Sequence, residues 1–225
     1  MVKSTILRDS VKQHLLKSIH AGDIKCGSTI NLAALARSLN VSVTPIREAL
    51  SQLEQSRILK AVPNRGFIVP ELTLKEAKNL YSTMAELEVL ALEYSSFDSN
   101  LLDELRDEQM NLLQTHTPFA RLTSRIKFHH LLLKNCSNSI LVQILKDLEA
   151  RILFYEQVFI TDASFYEQVD NQYEAIIRAI EEDNVPTAAL ILKMNWMTVL
   201  DYVQRQLVLG QNITFEEIRP EWAVQ

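Results

Sequence analysis

Glycine and cysteine are scarce in this chain, with four and two among 225 residues. Cys26 and Cys136 have no near neighbours of ligand type and fall in different predicted segments, so neither a disulfide framework nor a zinc site is expected, and both read as packing residues. No apolar run approaches membrane-spanning length, and the opening MVKSTILRDSVKQHL is too charged for a secretory signal. The expected place is the cytoplasm, with no membrane partner. Internal repeats and low-complexity tracts are missing too. So is any nucleophile, acid-base pair or ligand cluster at a suggestive spacing. His14, His20 and His116 stand isolated, while Glu86 with Glu88 and Asp103 with Asp107 read as solvated helix faces. Neither an enzyme nor a cofactor is expected.

What is present is ample apolar material, 47% of residues, and a charge distribution that the net value of -5 conceals. Residues 1-70 carry ten Lys or Arg against four Asp or Glu, a net of +6, and residues 71-225 carry thirteen against twenty-four, a net of -11. A basic first third beside an acidic remainder is expected if only the first part approaches a polyanion. Three of the four glycines, Gly22, Gly27 and Gly66, also fall in that first part, so the two parts differ in architecture as well as charge.

Within the basic part, LAALARSLN places Leu32, Leu35, Ala36 and Leu39 at helical spacing, and SVTPIREAL starts a second helix a few residues later. Ser42 suits an N-cap, and Pro45 in the first turn loses nothing because those N–H groups have no partner inside the helix. Asn40 sits where the chain must reverse and tolerates a left-handed backbone. Small Ala36 allows close packing, with Val41, Ile46 and Ala49 facing the same seam. This is a helix-turn-helix pattern, whose second helix lies in the major groove with Arg47 near its start. Taken alone, the pattern also fits a helical hairpin with a solvated arginine.

Upstream, residues 5-21 read as a helix ended by AGDIKCG. Downstream, LKAV and GFIV flank PNR and predict a hairpin, a wing with Arg65 near its tip. Pro70 ends its strand and Thr73 caps the next helix. Helical periodicity then continues over 74-96, 99-115, 119-135, 139-160, 164-183 and 186-208, with capping residues at each break. The expected fold is mainly α: a winged helix-turn-helix over 1-70, an antiparallel all-α bundle over 74-208 and a tail over 209-225.

ALARSLNVSVTPIREALSQLEQSRILKAVPNRGFIV resembles the winged-helix domain of GntR-family bacterial transcription regulators, and the helical remainder resembles the FadR-type ligand-sensing domain of that family, also called FCD. The resemblance covers about residues 4-207. It implies a ligand-responsive dimer on double-stranded DNA with an inverted-repeat operator. It also implies DNA contacts at Ser42, Val43, Thr44 and Arg47 of the recognition helix and at Arg65 and Gly66 of the wing. Val43 replaces a base-reading arginine usual in the family, which points to a different base at that step, such as a thymine methyl. The alternative is a helical interaction module that kept the winged helix without ligand sensing.

Members of the subfamily commonly hold a divalent metal with one aspartate and three histidines. Here the matching positions are Arg125, His129, Tyr173 and Trp196, and Met84 replaces an arginine usual in the first bundle helix. One histidine beside an arginine does not make a metal site. Arg125 and His129 share a helix face, and since the ion of the metal-holding members attracts the carboxylate of a small acid and a guanidinium can do the same, the resemblance implies a small organic acid as effector in a space lined by Met84, Tyr173 and Trp196. The same residues also fit a closed interior, with Arg125 paired to Glu86 or Glu88 and the space filled by Tyr173 and Trp196.

Overall fold

The structure, a computed structural model, describes residues 2-20, 23-24, 27-160 and 162-212. Cys26, Gly22 and the tail beyond residue 212 therefore lie outside the described residues.

The first part packs three helices, α1 (Val2–His20), α2 (Leu32–Ser38) and α3 (Val43–Gln55), against a two-stranded antiparallel hairpin, β1 (Lys60–Val62) and β2 (Gly66–Ile68). Asn31 caps α2 by accepting the Ala34 N–H at 3.0 Å. The turn to α3 passes through Asn40 at φ 53°, and the Val41 N–H returns to the Ala36 carbonyl at 3.0 Å. Ala36, Ile46, Ala49 and Leu50 are buried and Val41 half-buried in the seam, which they share with Val11 and Leu15 of α1. In the hairpin Lys60 pairs with Ile68, Ala61 with Phe67 and Val62 with Gly66. Asn64 at φ 61° and Gly66 at φ 81° supply the left-handed steps that the tight reversal requires. Residues 27-30 run along the other edge of β2, where the Gly27 and Ile30 N–H groups each donate at 2.7 Å, to Val69 and Phe67.

The second part is an all-helical bundle of α4 (Leu74–Glu93), α5 (Ser99–Gln114), α6 (Pro118–Leu132), α7 (Ser139–Phe159), α8 (Ser164–Glu181) and α9 (Val185–Asn212). Starts are set by side-chain caps: Thr73 on Glu76, Asp98 on Leu101, Thr117 on Ala120 with Pro118 just inside, and Asn138 on Leu141. Each helix begins and ends within a few residues of its expected bounds, the scatter normal at frayed ends. α9 is the exception, continuing past residue 208 to Asn212. The long helices α4, α8 and α9 pack side by side, α5 lies against α6 and α8, and α7 against α4. Cys136 is a free, half-buried thiol packed against this core.

The two parts touch. α1 meets α7, whose Arg151 pairs within the bundle with Glu76 in the first turn of α4.

Candidate functional site

The start of α3 and the tip of the hairpin present the outward features of the basic part. Ser42, Val43, Thr44 and Arg47 are exposed, as are Arg65 and Gly66. Ile46, Ala49, Leu50 and Leu53 hold the opposite face of α3 in the core, so burial fixes which side of the helix faces out. Ser42 is extended and caps without a side-chain hydrogen bond, which leaves the first N–H groups of α3 directed outward. Val43 is 39% exposed, an apolar side chain on a polar face.

A second constellation lies inside the bundle. Arg125 of α6 is fully buried, and its Nη1 donates to both oxygens of Glu156 on α7, at 2.9 and 3.1 Å. The partner expected from the sequence was Glu86 or Glu88. Instead Glu156 takes that place because it follows Ile152 by one turn on the buried face of α7. Glu86 points outward to Lys193 at 2.5 Å. Glu88, expected on a solvated face with Glu86, is fully buried: two residues along a helix is more than half a turn. Its Oε2 accepts the Trp196 indole N–H and lies 2.8 Å from His129 Nδ1.

Trp196 of α9 joins these groups. The Arg125 guanidinium lies over the indole at 4.4 Å from its centroid, the His129 ring is 4.9 Å from it, and Tyr173 of α8 stands edge-on to His129 at 6.3 Å. The fold thus gathers Arg125, His129, Tyr173 and Trp196 from three helices. Met84 is buried and lines a cavity together with Glu88. Glu156 was missed by sequence reasoning and Glu88 was read only as a solvated group or a partner of Arg125, although each falls at an apolar helical spacing, which is the signal for a buried carboxylate.

Electrostatics follow from burial. Desolvation opposes the Arg125 charge, but the Glu156 carboxylate and the surrounding tyrosines hold the guanidinium above its ordinary pKa. Glu156 is pushed upward by burial, against the pull of Arg125 and of the Tyr81 hydroxyl. Tyr173 is likewise raised by burial. Five polar atoms in the cluster have no protein hydrogen-bond partner: Arg125 Nε and Nη2, His129 Nε2, Glu88 Oε1 and the Tyr173 hydroxyl.

A divalent ion does not fit. The donor set around His129 holds one imidazole and the Glu88 carboxylate beside a guanidinium, a phenol and an indole, two ligating groups where three or four are needed, and no three His, Cys, Asp or Glu side chains converge among the described residues. No helix among them is long and apolar enough to cross a membrane.

Comparison with known proteins identifies both parts of the chain. Residues 7-69 match the family described as bacterial regulatory proteins of the gntR family, and residues 79-195 match the FCD domain. The chain is 30% identical over 188 residues to the HTH-type transcriptional regulator YdhC of Bacillus subtilis, covering 77% of this chain and 80% of that one. It is 26% identical to the HTH-type transcriptional regulator McbR of Escherichia coli, over 80% and 85% of the two chains. The solved structure of E. coli McbR/YncC superposes with a TM-score of 0.70 at 20% identity, over 89% of this chain and 98% of that one. One from Rhodococcus sp. RHA1 gives 0.69 at 18%, over 90% and 98%. The chain therefore belongs to the GntR family of bacterial transcription regulators, with a helix-turn-helix DNA-binding domain followed by an FCD effector-binding domain.

Proposed function

We propose that this regulator is a cytoplasmic homodimer that binds an inverted-repeat operator through residues 1-70 and senses a small carboxylate within residues 74-208. Ser42, Val43, Thr44 and Arg47 enter the major groove, and Arg65 and Gly66 approach the backbone from the wing. One recognition helix reads only a few base pairs, and two-fold symmetry doubles the site. Residues 209-225 take no part in this assignment.

The effector assignment is carried by one observation. Arg125 is fully buried, yet only Nη1 is engaged, so Nε and Nη2, the side-on edge of the guanidinium, are left without a partner. That edge is a two-donor fork matched to the two oxygens of a carboxylate. His129 Nε2 extends the polar surface, and Trp196 and Tyr173 give the ligand an apolar body to lie on. A fixed cation thus does for an acid what the metal does in metal-holding relatives.

A thermal-shift screen of carboxylic acids tests the assignment. A ligand at a hundred times its dissociation constant adds about 2.7 kcal/mol, a rise of several degrees. Arg125→Lys keeps the charge and removes the fork, so stabilisation should vanish in it. If no acid stabilises the wild type, or one does so equally in Arg125→Lys, the assignment fails. Elemental analysis of protein purified without chelator should find no stoichiometric zinc, nickel or manganese.

A further inference from the structure

The Glu88 carboxylate is the part of the buried cluster that a simple acid leaves unexplained. It is fully buried, and its Oε2 is fixed by the Trp196 indole and by His129. Its Oε1 has no partner. A carboxyl oxygen left without a hydrogen-bond partner in the interior is unfavourable. Whatever completes it must donate.

Beside it lies a cavity of about 260 Å³ between α4, α6 and α7, with Glu88 and Met84 at one side and Leu133, Val142 and Leu145 among its walls. Trp196 ties this cavity to the Arg125 fork. The same indole that donates from its edge to Glu88 carries the guanidinium over its face, 4.4 Å from the centroid, so one aromatic ring touches both the Arg125 and the Glu88 side chains.

Building on the carboxylate reading above, we propose that the effector is a bifunctional acid. Its carboxylate meets Arg125, and a hydrogen-bond donor, a hydroxyl or an ammonium group, reaches Glu88 Oε1 by way of the cavity between α4, α6 and α7. A site built to pair a substrate hydroxyl or amine rejects the analogue lacking it far more strongly than an apolar pocket rejects a missing methylene. Glu88 therefore sets selectivity, whereas Arg125 sets affinity for acids in general.

The experiment is calorimetric titration of the full chain with three matched series running from propionate to hexanoate: the plain acids, their ω-hydroxy counterparts and their ω-amino counterparts. At one chain length a substituted acid should bind at least about tenfold tighter than the plain acid, the size of one retained hydrogen bond. Which series wins tells hydroxyl from ammonium. Glu88→Gln, whose amide keeps an acceptor for Trp196 and offers N–H groups in place of the second oxygen, should abolish that preference, bringing the substituted acids to the affinity of the plain ones. Leu145→Phe, which narrows the cavity from α7, should exclude the substituted acids and spare the short plain ones. Urea midpoints verify that both variants fold.

Equal affinity for substituted and plain acids in the wild type, or a preference that survives Glu88→Gln, overturns the role of Glu88. If binding then still depends on Arg125, the carboxylate reading stands without it. Absence of binding by all three series sinks both.

Discussion

Arg125 and Glu156 face each other with both side chains at 0% exposure, and a single nitrogen, Nη1, spans both carboxylate oxygens. The pair leaves the rest of the guanidinium bare, which has different consequences for stability and for ligand binding.

Removing one member should be severe. Arg125→Met or Glu156→Leu alone strands a buried charge and should cost about 3 to 5 kcal/mol in urea unfolding. The double variant removes both charges and should recover most of that loss, because such pairs are commonly replaceable by apolar side chains. It should fold and bind operator DNA yet gain no stability from any acid. A double variant as unstable as the sum of the singles would mean that the two side chains contribute independently and not as a pair.

On the DNA side, Arg47→Ala should cost about 1 to 3 kcal/mol on a selected operator and relax base preference at one step of each half-site. Arg65→Ala should weaken all sequences alike and reduce the salt slope by about one unit. Fluorescence anisotropy across a salt series separates the two outcomes. Equal losses on every sequence for Arg47→Ala would remove it from base reading.

His130 of α6 is 2.5 Å from Glu149 of α7, and that hydrogen bond, outweighing partial burial, raises the His130 pKa above its ordinary 6.5. A raised histidine pKa stabilises the folded chain fully below the unfolded value, and the contribution is lost as pH climbs through the folded value. Stability should therefore decline as pH rises from about 6.5 upward, by under about 1 kcal/mol because the imidazole is half exposed. In Glu149→Gln that part of the pH profile should flatten. An unchanged slope there would assign it to another group.

The turn between α2 and α3 rests on Asn40 at φ 53°. Asn40→Gly should be tolerated or slightly stabilising, whereas Asn40→Val should cost about 1 to 2 kcal/mol and weaken DNA binding by misplacing α3. Equal denaturation midpoints for the two variants would show that the strain is relieved elsewhere.

Most of the architecture was legible because its signals are local. Thr73, Asp98, Thr117 and Asn138 announce helix starts through bonds made within three residues of themselves, and the Pro-Asn turn with Gly66 announces the hairpin. The buried cluster was legible only in part. Arg125 and His129 could be placed together because one turn of one helix separates them. Glu156, 31 residues away on another helix, could not be chosen over Glu88 as the partner, since periodicity tells which face of α7 is buried but not what it is buried against. Glu88 and Glu86 show the same limit from the other side: adjacent acidic letters read as one solvated patch, while the helix turns one toward Trp196 and the other toward Lys193.

α7 runs from Ser139 to Phe159 without a glycine or a proline. Glu156 sits near one end of it, Arg151 reaches Glu76 at the start of α4, Glu149 holds His130, and α1 of the DNA-binding half lies along the same helix. An unbroken helix has no hinge in which to lose a displacement. The helix that holds the partner of Arg125 is therefore the same unbroken rod that meets the first helix of the DNA-binding half, so the two halves share one stiff element.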